Sequence, residues 1–222
     1  MTGTELTARL DRATLESPLL EHPFYKAWAD GTLTREDLAH YSTQYWRQVE
    51  SFPTYLAAIE RRLPEGPARD AIADNLRDEV DGDHAGLWLA FAGALGVNED
   101  AVRSSSVETE TSECVGAFTE GTRDRSAAFA LGMIYGYESQ TPAVAETKVK
   151  GLRDSYGVEG PGLDYFELHG ELDVEHTKEL GQAIAAIAST PEDVEDAEAG
   201  ARAGSQAIWR LLDGVARVRE VC

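Results

Sequence analysis

Apolar residues recur at steps of three and four along almost the whole chain, and two-residue alternation of β-branched residues is absent. That spacing lines apolar side chains along one face of an α-helix and does not suit a strand. The clearest run is Leu38, Tyr41, Tyr45, Val49, Phe52 and Leu56. Thr34-Arg35-Glu36-Asp37 opens it, with Thr34 as N-cap, and the pattern continues to Leu63. Pro53 falls inside the run and predicts a kink rather than an end. Pro64-Glu65-Gly66-Pro67 predicts a turn. Helices follow over 68–80 and 84–95, separated by Asp81-Gly82-Asp83 and stopped at Gly96. Shorter helical pieces are expected over 98–122, then one long helix over 127–156 bent near Pro142, and a loop to Gly162. A long helix over 163–188 comes next. A last one starts at Pro191 and carries Ile208, Leu211, Leu212, Val215 and Val218 on one side. No repeat, low-complexity tract or linker divides the chain, so the expectation is one all-α domain over 1–222, a bundle of about seven or eight helices.

The chain has 222 residues and 42% apolar content, enough for a substantial core. Forty acidic against 20 basic residues give a net charge of -20. So negative a chain lacks the cations that nucleic acid or an anionic membrane surface requires, and neither is expected as a partner. Only four of the basic residues are lysines: Lys26, Lys148, Lys150 and Lys178. Many carboxylates with few lysines resemble proteins of salt-loving organisms, where salt screens self-repulsion; most of the acid is read as solvated surface. Cys114 and Cys222 are too few and too far apart for a disulfide framework or a zinc cluster. No apolar run approaches membrane-spanning length and no apolar signal core is present, so a soluble cytoplasmic protein is expected.

His169, Asp173 and His176 are spaced four and three apart, which places them on one helical face. Imidazole with carboxylate suits iron, manganese or zinc. Leu168, Leu172 and Leu180 run close to that face, and three polar side chains turned inward need compensation, which a metal supplies. Glu138 sits among apolar and small neighbours, in Met133-Ile-Tyr-Gly-Tyr-Glu-Ser-Gln-Thr-Pro142, and is expected to point inward. Glu79 and His84 lie at the junction of two helices. Together these are three carboxylates and three imidazoles. Two divalent cations would nearly balance the three negative charges, as a buried dinuclear site requires.

A second ligand set is open on the residues alone. Asp81-x-x-His84 and Asp173-x-x-His176 match the carboxylate-x-x-His pattern of ferritin-like bundles, with Glu50 and Glu138 as further carboxylates. Gly82 weakens a helix through the first motif, and that set leaves His169 without a role. Glu79, His84, Glu138, His169, Asp173 and His176 are the preferred set.

Several stretches carry a family resemblance. His22-Pro-Phe-Tyr-Lys-Ala-Trp28, Gly31-Thr-Leu33, and Tyr45 through Phe52-Pro-Thr-Tyr-Leu56 resemble the opening of the TenA/PqqC superfamily, of haem-oxygenase-like fold. Asn75-Leu-Arg-Asp-Glu79, His84-Ala-Gly-Leu-Trp88, Leu95-Gly96, Tyr137-Glu138-Ser-Gln140, Lys148 and His169-x3-Asp173-x2-His176 resemble its CADD branch, named for a chlamydial death-domain-associating protein. The resemblance spans about 20–188 and implies a dinuclear centre, iron with iron or iron with manganese, bound by the six preferred residues. The stretch between Glu79 and His84 is shorter than the family pattern, which leaves Asp81 or Asp83 open in place of Glu79, and related oxidases of the fold make Glu50 a candidate additional or swinging ligand. It implies use of dioxygen and an external reductant, and a homodimer. It also implies that p-aminobenzoate, a folate precursor, is made from the protein's own side chains: Tyr25 gives the ring and Lys148 the amino group. From periodicity alone, Lys148 lies about 1000° along the helix from Glu138, some 80° off in angle. Its plain reading is a snorkelling surface lysine, and that of Tyr25 a satisfied core aromatic.

Three other functions compete. One is a dinuclear oxidase of the same fold acting on an external amino acid or fatty acid. Another is a metal-free, thiaminase-like enzyme, which would need Cys114 in the pocket; no family motif surrounds it. The last is a metal-free binding protein.

Overall fold

The computed structural model describes residues 2–221; Cys222 lies outside the described residues. Eleven α-helices fill the described chain: α1 (Gly3–Thr14), α2 (Pro23–Ala29), α3 (Arg35–Glu60), α4 (Pro67–Asp81), α5 (His84–Ala94), α6 (Glu99–Ser104), α7 (Thr109–Asp124), α8 (Ala127–Glu138), α9 (Thr141–Asp154), α10 (Asp164–Ile187) and α11 (Pro191–Arg219). Two single 3-10 turns lie at Leu19–Glu21 and Gly160–Gly162, and no strand occurs among the described residues. The all-α expectation holds. The helix count exceeds seven or eight because the N-terminal segment supplies two helices and the 127–156 stretch is two helices rather than one.

That second difference has a local cause. Pro142 has no N–H and its ring would clash with the carbonyl four residues back, so it sits in the first turn of a new helix, where neither matters. Helix α8 therefore stops at Glu138, and Ser139-Gln140 carry the chain into α9. Pro53, by contrast, stays inside an unbroken α3, as expected. The start of α3 is the predicted one: the Thr34 hydroxyl accepts from the Asp37 N–H while Asp37 accepts from the Thr34 N–H. The helix ends at Glu60, and the apolar pattern to Leu63 continues into a turn.

Helix α8 is buried along its whole face set, from Ala128 to Glu138. Its neighbour α11 lies close enough that a Cβ on Gly136 would collide with the Ala201 carbonyl oxygen, and one on Gly204 with that of Met133. Glycine at these crossings lets the two backbones touch, and it fixes the depth at which Glu138 sits. The buried apolar residues form one connected cluster running from Leu6 to Ala216. None of the described helices is long and apolar enough to cross a membrane.

Candidate metal centre and adjoining cavity

Helices α4, α5, α8 and α10 bring all six preferred residues into the core, where each is buried. They form two groups of three: Glu79, His84 and His169, and Glu138, Asp173 and His176. The helical triplet is thus divided, its first member joining one group and its last two the other. Glu79 Oε1 lies 3.0 Å from His84 Nδ1 and 3.6 Å from His169 Nε2. His176 Nδ1 lies 3.4 Å from Asp173 Oδ1 and 4.0 Å from Glu138 Oε1. A void of about 10 Å³ lined by Glu79, His169, Glu138 and Asp173 separates the groups, so they face one another.

The competing carboxylates lie elsewhere. Glu50 is exposed, accepts a hydrogen bond from Arg47 at 2.8 Å and stands outside both groups. Asp83 is exposed, at φ 47°, and spends its side chain capping α5 by accepting from the Gly86 N–H at 3.1 Å. Asp81, the last residue of α4, is exposed. The break at Gly82 turns the chain so that Glu79 and His84 meet while the aspartates between them face water.

The donor set fits cations. His176 Nδ1 and Glu138 Oε2 are buried without hydrogen-bond partners. Such orphans are rare in a core, and here they converge with further acceptors, which only a cation or a proton can satisfy together. Protonation behaviour points the same way. Burial, helped by the Asp173 carboxylate, pushes the Glu138 carboxyl well above the usual range. Burial acts likewise on Glu79, but hydrogen bonds from His169 and His84 outweigh it and hold that carboxyl at about 2. Burial alone would lower both outer imidazoles. Asp173 and Glu138 overcome this and raise His176 to about 9, and Glu79 with Asp173 raises His169. Each group attracts positive charge to its centre.

Three residues that sequence reasoning left unassigned hold the ligands in place. The Asn75 amide donates to Glu138 Oε1 at 2.9 Å. His169 Nδ1 faces the Tyr165 carbonyl at 2.7 Å, which leaves Nε2 for Glu79. His176 Nε2 lies 3.2 Å from Asp78 Oδ2. Asn75, Asp78 and Glu79 are spaced three and one apart, a polar strip on one face of α4; that spacing was the available signal.

Beside the first group lies a closed cavity of about 20 Å³, whose wall includes Tyr25, Tyr45, Lys148, Tyr165, Phe166 and His169. Lys148 is 5% exposed, contrary to the snorkelling expectation, because the break at residues 139–140 re-aims α9. Its Nζ donates to the Tyr41 hydroxyl at 2.7 Å and lies 4.8 Å from the centre of the Tyr25 ring. The hydroxyls of Tyr25 and Tyr41 are 3.2 Å apart. Burial, with no carboxylate nearby to offset it, drives the amine well below its usual range. Cys114 is buried against Gln48, away from this cavity, and burial pushes its thiol up.

The sequence pattern of a family described as iron-containing redox enzymes matches residues 39–209. The chain is 34% identical to a 4-aminobenzoate synthase of Nitrosomonas europaea, over 89% of this chain and 85% of that one. It is 33% identical to a 4-aminobenzoate synthase of Chlamydia muridarum, over 96% and 91%. A Shewanella denitrificans domain with a haem-oxygenase-like fold superposes with TM-score 0.84 at 19% identity, covering 99% of this chain and 94% of the other. The chain belongs to the iron-containing redox enzyme family, on the branch of the 4-aminobenzoate synthases, with the haem-oxygenase-like fold.

Proposed function

We propose that this protein is an oxygen-dependent dinuclear iron oxidase that makes p-aminobenzoate from itself, with Tyr25 as the source of the ring and Lys148 as the source of the nitrogen. The observation that carries the reading is the juxtaposition of a buried lysine amine and a tyrosine ring at a small cavity with His169 on its wall. A space of about 20 Å³ holds a water-sized molecule, whereas an external amino acid or fatty acid needs a pocket of several hundred Å³. That small volume favours reacting groups that belong to the protein itself.

Glu79, His84 and His169 would hold one metal ion, and Glu138, Asp173 and His176 the other. When bound, such a pair supplies one-electron and dioxygen chemistry, which side chains lack. The remaining work falls to this chain's own residues. Burial lowers the pKa of the Lys148 amine and so favours the unprotonated form, whose nitrogen lone pair is available. The Tyr41 hydroxyl takes a hydrogen bond from that amine and meets the Tyr25 hydroxyl, which holds the two groups in register. The Trp28, Tyr45 and Phe166 rings close around the amine and exclude water.

The test is peptide-resolved mass spectrometry after anaerobic Fe(II) loading and exposure to dioxygen with a reductant. The expected result is free p-aminobenzoate, a mass loss at Tyr25, and heavy nitrogen in the product when lysine alone carries the label. An intact chain that turns over an added amino acid or fatty acid overturns the reading in favour of an external-substrate oxidase.

A further inference from the structure

Resting on the metal-site reading above, we infer that Asp78 is a positioning residue for the second group: it holds the His176 proton on Nε2, so that Nδ1 is the atom offered to the metal. Asp78 is outside both groups of converging ligands, and its side chain is 49% exposed. Its Oδ2 nevertheless reaches past the rim of the site to within 3.2 Å of His176 Nε2.

The argument is one of donors and acceptors. A neutral imidazole carries one N–H and one lone pair. A carboxylate only accepts, so Asp78 recruits the N–H to Nε2 and leaves the lone pair on Nδ1. That lone pair is buried, has no hydrogen-bond partner, and faces Asp173 Oδ1 at 3.4 Å and Glu138 Oε1 at 4.0 Å. With the ring neutral, its Nδ1 lone pair converges with two carboxylate oxygens, an arrangement that suits a cation. Without Asp78 the opposite tautomer gains: an N–H on Nδ1 would hydrogen-bond to Asp173, and an incoming ion would have to displace it. Partners of this kind on ligating histidines typically change metal affinity about 10- to 100-fold.

The first group solves the same problem differently. His169 Nδ1 is met by the Tyr165 backbone carbonyl at 2.7 Å, an acceptor that no substitution at residue 165 removes. Of these two histidines only His176 depends on a side chain, and that side chain lies on α4 next to Glu79 and one turn from Asn75. One helical turn thus supplies a ligand and two supports. The support for His176 is the one that opens to water.

Asp78→Ala and Asp78→Asn test this; the Asn carbonyl can accept the same bond. Nitrogen NMR of the metal-free proteins at alkaline pH, where the ring is neutral, reads the tautomer directly. The expected result is Nε2–H in the wild type and in Asp78→Asn, with a shift towards Nδ1–H in Asp78→Ala. Chelator competition with Fe(II) should show the weaker-held ion lost about 10- to 100-fold more readily in Asp78→Ala and largely recovered in Asp78→Asn. An unchanged tautomer and unchanged affinity in Asp78→Ala overturn the inference. Failure of the wild type to bind Fe(II) would instead sink the metal-site reading, while the tautomer comparison still decides the role of Asp78.

Discussion

Lys148→Met isolates the energetic consequence of a buried amine. Methionine keeps most of the stem's apolar burial and removes the ionisable group. Each unit by which burial lowers the amine's pKa below the ordinary value of about 10.4 costs about 1.36 kcal/mol at pH values under the folded pKa. The hydrogen bond to the Tyr41 hydroxyl returns about 0.5–1.5 kcal/mol of the total. The substitution should therefore stabilise the metal-free protein at neutral pH, by about 1.36 kcal/mol per unit of depression less that hydrogen bond. The sign with pH is fixed. Burial depresses the folded-state pKa of a base, so the penalty is absent above the unfolded pKa and grows as pH falls towards the folded one. Urea unfolding of both proteins from neutral pH to about pH 10.5 reads this as a gap that shrinks with rising pH. A variant no more stable than wild type, or a gap flat with pH, would refute the claim that burial lowers the amine's pKa.

Gly136→Ala pushes a methyl into the Ala201 carbonyl and should cost about 1–3 kcal/mol in urea unfolding, with Fe(II) binding weakened because Glu138 rides on the same helix. Asn75→Ala removes the one amide donor to Glu138 and should weaken Fe(II) retention about 10-fold in chelator competition. Phe166 lines both the closed cavity and an open groove between α9 and α10; Phe166→Ala should lose about 3–5 kcal/mol of stability and expose Lys148 to an acylating reagent, read by mass spectrometry.

The helices and the ligand positions were legible because each rests on short-range rules. The His169, Asp173 and His176 spacing needs only 3.6 residues per turn. Glu138 was placed inward by its apolar flanks, and Glu79 with His84 by the Gly82 break. What was not legible depends on where helices go after they end. Lys148 stands about 80° off along an unbroken helix, and the bend expected at Pro142 left its final direction open; Pro142 in fact begins a new helix, and that angle no longer applies. Glu50 lay in a helix dense with core residues, yet Arg47 beside it holds it at the surface. The polar strip on α4 marked Asp78 as a candidate, but not its partner, because His176 is 98 residues away.

Iron analysis of the purified protein, set beside His169→Ala and Asp173→Ala, addresses the paired groups most directly. Each variant removes a ligand from a different group of three. Two irons bound per wild-type chain, with one site impaired in each variant, is the outcome these geometries require. Substoichiometric iron in the wild type, or variants that retain it fully, would mean that the converging imidazoles and carboxylates serve some other end.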